Sequence, residues 1–205
     1  MKNKIKLLIS LLLISFCSFI LQSSTIKATR INIKGHLNIA EEDSSEALNV
    51  AFRDTLNRSV RLSDFKGKFI VVDLWYSGCG ACITANKGLH TVHDQLIKEN
   101  IVFLSISIDQ DRTKWMLSVT KNSVPSKFNP WAGKYYPVPG TIVLYTGGCG
   151  ANNDFVKKYV PQNLYPQLLL ISPSGQVIST HPPRPDYEPE KLIAFIKDVL
   201  ANTPK

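Results

Sequence analysis

The 205-residue chain carries 24 Lys and Arg against 16 Asp and Glu, a formal net charge of +8. Lys2, Lys4, Lys6 and Lys27 lie in the first 28 residues, which hold no acid, so the rest of the chain carries +4. Basic residues there are scattered, which reads as a solvated surface and excludes a dedicated nucleic-acid site.

The first element is a leader. Three lysines precede an uncharged run from Leu7 to Leu21, the layout of a secretory signal with a small-residue cut after Ala28. The run is short for a transmembrane span of about 20 apolar residues. Uncharged residues nevertheless continue to Ile26, so an uncleaved membrane anchor is the second reading. Cleavage as a lipoprotein at Cys17 is disfavoured, because bulky Phe16 stands where a small residue is required. Residues 1–28 are therefore signal peptide or N-terminal anchor. Residues 29–47 form a polar lead-in with a short strand at "INIKG", and residues 48–205 are one domain of ordinary size.

From "NVAFRD" through "TLNR" to "SVRL" the pattern predicts a hairpin with Asn57 in its turn. "SDFKGK" suits a single helical turn capped by Ser63. "FIVVDLWY" and "IVFLSISI" are apolar, β-branched runs, as expected of strands buried on both faces. Between them Ala85, Leu89, Val92 and Leu96 recur at spacings of three and four, the stripe of a helix that starts at the cysteines. Strand, helix and parallel strand make a βαβ unit. A second helix, "RTKWMLSVTKN", follows the acidic turn "DQD". Residues 123–140 hold four prolines and four aromatics, which exclude regular helix or central strand. This segment reads as an aromatic-anchored packing loop, or as a lid or docking surface for a protein substrate. "QLLLIS" and "QVIST" flank "PSG", a hairpin signal. "PEKLIAFIKDVL" closes the chain as a helix burying Leu192, Phe195, Ile196 and Val199. The fold class is α/β, a central mixed sheet with helices on both sides.

After the leader three cysteines remain, Cys79, Cys82 and Cys149. A chain of this length buries an adequate core without disulfide staples, so these cysteines point to reactivity. Cys79 ends a buried strand and opens a helix, where unpaired amides and the helix dipole stabilise a thiolate. Cys82, two residues further on, is in reach of the Cys79 sulfur. A static disulfide would close a tiny loop and add little stability. A zinc site would need His90 and His93, which follow in the same helix and cannot bend back to the cysteines. No metal site is expected, and the pair reads as redox-active. Cys149, in "TGGCGANND", reads as a free thiol in a glycine-rich turn before a short helix capped by Asn152 or Asn153. A third redox cysteine or an intermolecular link is its alternative.

"FKGKFIVVDLWYSGCGAC" resembles the active-site strand of the thioredoxin superfamily, most of all its exported TlpA/ResA-type thiol–disulfide oxidoreductases. The shared features are Gly-Lys before the strand, Asp73 six residues and Trp75 four residues before Cys79, and Cys-Gly-x-Cys. The likeness extends over residues 48–200. It implies a thioredoxin fold with an N-terminal hairpin and an insertion between the second and third core strands. It also implies Cys79 as nucleophile and Cys82 as resolving thiol. Asp73, a buried carboxylate of raised pKa, would accept the Cys82 proton. Tyr165-Pro166 occupies the place of the family's cis-proline. With Trp75, Gly78, Gly80 and Ala81 it forms the expected substrate-contacting set. No organic cofactor is implied. The expected partners are protein dithiol or disulfide substrates and an upstream redox partner, met by a monomer in the periplasm or cell envelope.

Three departures accompany the likeness. Gly78 replaces an aromatic residue before the first cysteine, Ala81 replaces proline between the pair, and Ala85 stands where some cytochrome-maturation members carry an acid. The Ala81 amide is an extra donor that could point at the Cys79 thiolate. A peroxiredoxin is disfavoured, since Cys79 lacks a threonine or serine three residues before it. The rival of another class is a copper chaperone on the same fold, binding through the thiolate pair and His181. Whether the protein reduces or oxidises depends on its potential, which spans a wide range on this one fold.

Overall fold

The computed structural model describes residues 49–203. The expected signal or anchor (1–28) and the polar lead-in (29–47) lie outside the described residues. The hairpin forms as its sequence dictates: β1 (Ala51–Asp54) and β2 (Ser59–Arg61) pair antiparallel. Asn57 takes the left-handed conformation in the turn, with φ of 63°, which asparagine tolerates better than most residues. The Asp54 carboxylate closes the same turn, accepting from the Leu56 and Arg58 amides. A 3-10 turn, Leu62–Phe65, follows. Its cap is not Ser63, as expected, because Ser63 lies inside the turn. Instead Asp64 reaches back to accept from the Arg61 amide at 2.8 Å.

β3 (Phe69–Trp75) is buried along its whole length. It pairs parallel with β4 (Ile101–Ser107) on one side and antiparallel with β6 (Gln167–Ile171) on the other. α1 (Gly80–Leu96) crosses from β3 to β4 and buries Ala85, Leu89, Val92 and Leu96. α2 (Arg112–Val119) starts on Asp111, whose carboxylate accepts from the Thr113 and Lys114 amides. It ends earlier than its sequence suggests, where the Thr120 hydroxyl donates to the Met116 carbonyl and Asn122 turns to φ of 69°.

β5 (Ile142–Tyr145), a strand the sequence did not announce, adds parallel to β4 and pairs antiparallel with β1. It joins the hairpin to the sheet. α3 (Asp154–Tyr159) is capped by Asn153, and β7 (Val177–Ser179) completes the second hairpin. α4 (Pro189–Asn202) buries Leu192, Ile196 and Val199, with Phe195 only half-buried. The strand order is β2-β1-β5-β4-β3-β6-β7, the mixed sheet of a thioredoxin fold.

Alternation along β3 sorts the core. Ile70, Val72 and Leu74 face a cluster containing Phe155 and Val156 of α3. Phe69 and Val71 face α1 and α4. On that second face the next two side chains are Asp73 and Trp75. His93 is buried on α1 with its ring 5.0 Å from Phe103.

α1 is held tightly from outside. A β-carbon on Gly88 would lie 2.0 Å from the Pro185 carbonyl oxygen. Overpacking of this kind costs about 1–3 kcal/mol, against roughly 1 kcal/mol that alanine gains over glycine in a helix. Gly88→Ala is expected to lower the urea midpoint despite its better helix propensity. A midpoint equal to or above wild type would mean that α1 has room to shift.

Candidate active site

The site is built at the end of β3, where the chain must turn sharply into α1. A second strand end holds that turn. Buried Asp109, just after β4, accepts through Oδ2 from the Ser77 amide at 2.9 Å and the Ser77 hydroxyl at 2.7 Å. The Ser107 hydroxyl donates to the same oxygen at 2.7 Å. Gly78 then adopts φ of +98°, a conformation that favours glycine. A β-carbon there would also meet the Trp131 ring at 3.1–3.3 Å. The missing aromatic residue before the first cysteine thus has a local cause, because residue 131 already covers that position.

Cys79 occupies the N-cap of α1 and is disulfide-bonded to Cys82. Cys79 is 5% exposed and Cys82 fully buried, so Cys79 is the sulfur nearer solvent. The amide that donates to the Cys79 sulfur is that of Cys82, at 3.1 Å. In this disulfide form the donor is therefore Cys82 rather than Ala81, whose side chain is exposed. Gly80 is likewise exposed, with open space where a side chain would be.

Asp73 is buried on β3 six residues before Cys79, with Ser105 of β4 and Leu168 of β6 as its neighbours in register. Its Oδ2 accepts a hydrogen bond from the Tyr135 hydroxyl, and its Oδ1 has no partner among the described residues. Burial pushes the carboxyl up to about 7, while the Tyr135 hydrogen bond pulls in the opposite direction. Tyr135 comes from the proline-rich segment 123–140 and stacks on Trp75 with ring centroids 3.5 Å apart. The Trp75 indole N–H donates to Ser105 Oγ at 2.8 Å. Trp75 is fully buried. It supports the site from within and has no surface for a substrate, which departs from its place in the expected contact set.

The Tyr165-Pro166 peptide bond is cis. Tyr165 packs against the cluster of Trp75, Cys79, Cys82 and Tyr135, and its ring meets Tyr76 edge-on at 5.8 Å. Pro166 lines a groove of about 450 Å³ with Leu164, Gln167, His181 and Arg184. Cys149 is an exposed free thiol in a separate turn. His181 is exposed and bonded to the Thr180 hydroxyl. Among the described residues no group of three or more His, Cys, Asp or Glu could hold a metal ion. Tyr135, Ser105 and Asp109 escaped sequence reasoning. The signal for Tyr135 was indirect: a lone aspartate in an apolar strand requires a donor, and the neighbouring insertion is rich in tyrosine.

Residues 44–179 match the AhpC/TSA family. The chain belongs to the AhpC/TSA family. No curated protein matches it significantly. Solved structures share the fold at low identity. The thioredoxin domain of a Bacteroides vulgatus thiol–disulfide oxidoreductase is 18% identical, with a TM-score of 0.55 over 74% of this chain and 92% of that one. A thiol–disulfide oxidoreductase from Bacteroides fragilis is 19% identical, with a TM-score of 0.54 over 73% and 95%. A thiol:disulfide interchange protein from Bacteroides sp. is 17% identical, with a TM-score of 0.51 over 76% and 88%.

The Asp73 environment has a thermodynamic consequence. A carboxyl that titrates near 7 when folded and near 3.9 when unfolded holds its proton better in the native state. Its contribution is therefore complete at acid pH and declines as pH rises from about 4 to 7. Three units correspond to about 4 kcal/mol as an upper bound. Asp73→Asn removes this slope. The stability difference between variant and wild type, from urea denaturation across that range, should grow in favour of asparagine as pH rises. A difference independent of pH would show that the carboxyl titrates normally.

Proposed function

We propose that this protein is an exported thiol–disulfide oxidoreductase that exchanges disulfides with protein substrates through Cys79 and Cys82. The observation that carries the reading is a disulfide at the first turn of α1, with Cys79 the less buried of its two residues and a buried carboxyl, raised to about 7, on the strand that leads into it. The pair's own disulfide, with Tyr76 three residues before Cys79, favours dithiol exchange over peroxide reduction at a single cysteine.

In the reducing direction the Cys79 thiolate attacks a substrate disulfide. One substrate sulfur leaves, and the other is joined to Cys79. Cys82 then gives its proton to Asp73 and attacks the Cys79 sulfur. The bond between Cys79 and substrate breaks, the Cys79–Cys82 disulfide forms, and two electrons have passed to the substrate. The oxidising direction is the reverse sequence. Thiolate character at Cys79 is favoured by its N-cap position and the Cys82 amide. The substrate chain lies along the groove lined by Leu164, Pro166, Gln167, His181 and Arg184. The leader expected from the sequence of residues 1–28 supports a location in the periplasm or cell envelope, free or membrane-attached, where disulfides persist. A membrane-bound or soluble redox partner restores the starting state.

Cys79→Ser is expected to reduce exchange to background. Cys82→Ser is expected to capture substrate as a mixed disulfide through Cys79, visible as a reducible adduct on a non-reducing gel. Capture by Cys79→Ser and none by Cys82→Ser would reverse the two roles. Retained turnover in Cys79→Ser would remove this pair from the reaction.

A further inference from the structure

We propose that Tyr135 is the positioning residue of the proton acceptor: its hydroxyl occupies Oδ2 of Asp73 and leaves Oδ1 as the oxygen that takes the Cys82 proton. The inference rests on the exchange reaction proposed above and assigns a role to the segment 123–140 within it.

Tyr135 is 1% exposed, and its amide donates to the Ser118 carbonyl at 3.2 Å. Two residues earlier, the Gly133 amide donates to the Leu117 carbonyl at 2.8 Å. Its ring lies within 7° of parallel to Trp75, whose N–H is spent on Ser105. Ser105 is the register partner of Asp73 and itself interacts with the Tyr135 side chain. The phenol is thus held by the backbone of α2 at one end and by a closed set of side chains at the other. A hydroxyl so placed donates to a carboxylate more strongly than to a neutral acid.

Direction follows from which atoms are free. Burial and the neighbouring Asp73 push the Tyr135 hydroxyl well above the ordinary tyrosine range, so it remains a donor at neutral pH. With Oδ2 engaged and Oδ1 unpartnered among the described residues, Oδ1 is the basic site. Asp73 shares a small cavity with Asn86 of α1, Ser105 of β4 and Thr141, none of them charged. From β6 it meets Leu168. Among these neighbours the titratable group is Tyr135, and the proposed reaction adds the Cys82 thiol as the proton donor. In resolution the Cys82 S–H bond breaks and its proton goes to Oδ1. The sulfur electron pair forms the bond to Cys79, and the substrate thiolate leaves and takes a proton from water. Without the phenol, the carboxylate form of Asp73 loses its one donor and less of it is present at neutral pH.

Stopped-flow measurement of mixed-disulfide resolution against pH, in wild type, Tyr135→Phe, Asp73→Asn and the double variant, tests this. Phenylalanine keeps the ring that stacks on Trp75, and urea denaturation checks that the variant folds. Tyr135→Phe should move the midpoint to higher pH, slow resolution several-fold at neutral pH, and recover in alkaline buffer. Asp73→Asn should abolish the pH step, and Tyr135→Phe should add nothing in that background. A ring-fluorinated tyrosine at position 135, a stronger donor, should move the midpoint the other way. Slow resolution in Asp73→Asn with an unmoved midpoint in Tyr135→Phe would overturn the Tyr135 assignment alone. Unchanged resolution in Asp73→Asn would overturn the proton transfer on which it rests.

Discussion

A carboxyl group inside an apolar sheet is the constraint around which this molecule is arranged. Asp73 is surrounded by β4, β6 and α1, and removal from water favours its neutral form strongly. One phenolic hydroxyl opposes that tendency and brings the balance back to about 7. Tyr135 comes from residues 120–141, which carry no helix or strand between α2 and β5. That segment also sends Trp131 over Gly78 and the Tyr136 carbonyl to Asn86 of α1, at 2.7 Å. One loop therefore touches the buried carboxyl, the turn before Cys79 and the helix after it.

The second requirement is a turn that does not drift. Asp109 gathers three donors at one oxygen and fastens Ser77 to the end of β4. Hydrogen bonds to a charged acceptor contribute about 1.5–3 kcal/mol each, enough to fix the residues from Trp75 to Cys79 against thermal motion. Position and acidity are thus controlled by different carboxylates. Asp109 holds the turn that leads to Cys79, and Asp73 is the buried carboxyl raised to about 7.

Much of this was legible in the sequence. The Asn57 hairpin, the βαβ unit and the α1 stripe follow from local pattern, and Cys79 at a strand-to-helix junction follows from the same pattern. Asp73 was visible because a lone acid in "FIVVDLWY" breaks an otherwise apolar run. Its donor was not, because Tyr135 is 62 residues away and one of four aromatics in a segment without period. The Asp109 network depends on β3 and β4 aligning Trp75 with Ser107, a register that no local signal specifies. β5 is four residues long and begins one residue after Pro139-Gly140, too short to be separated from the loop by periodicity. Trp75 was placed among substrate contacts by likeness. Its position in the strand alternation, inward like Val71, argues for the buried role it has.

The central claim is that burial and the Tyr135 hydroxyl together hold Asp73 near neutrality. Carboxyl-carbon NMR, following the Asp73 side-chain resonance through a pH titration of the oxidised protein, measures this directly. The account predicts a midpoint near 7, well separated from exposed carboxylates. A midpoint near 4, within the ordinary range of aspartate, would contradict it.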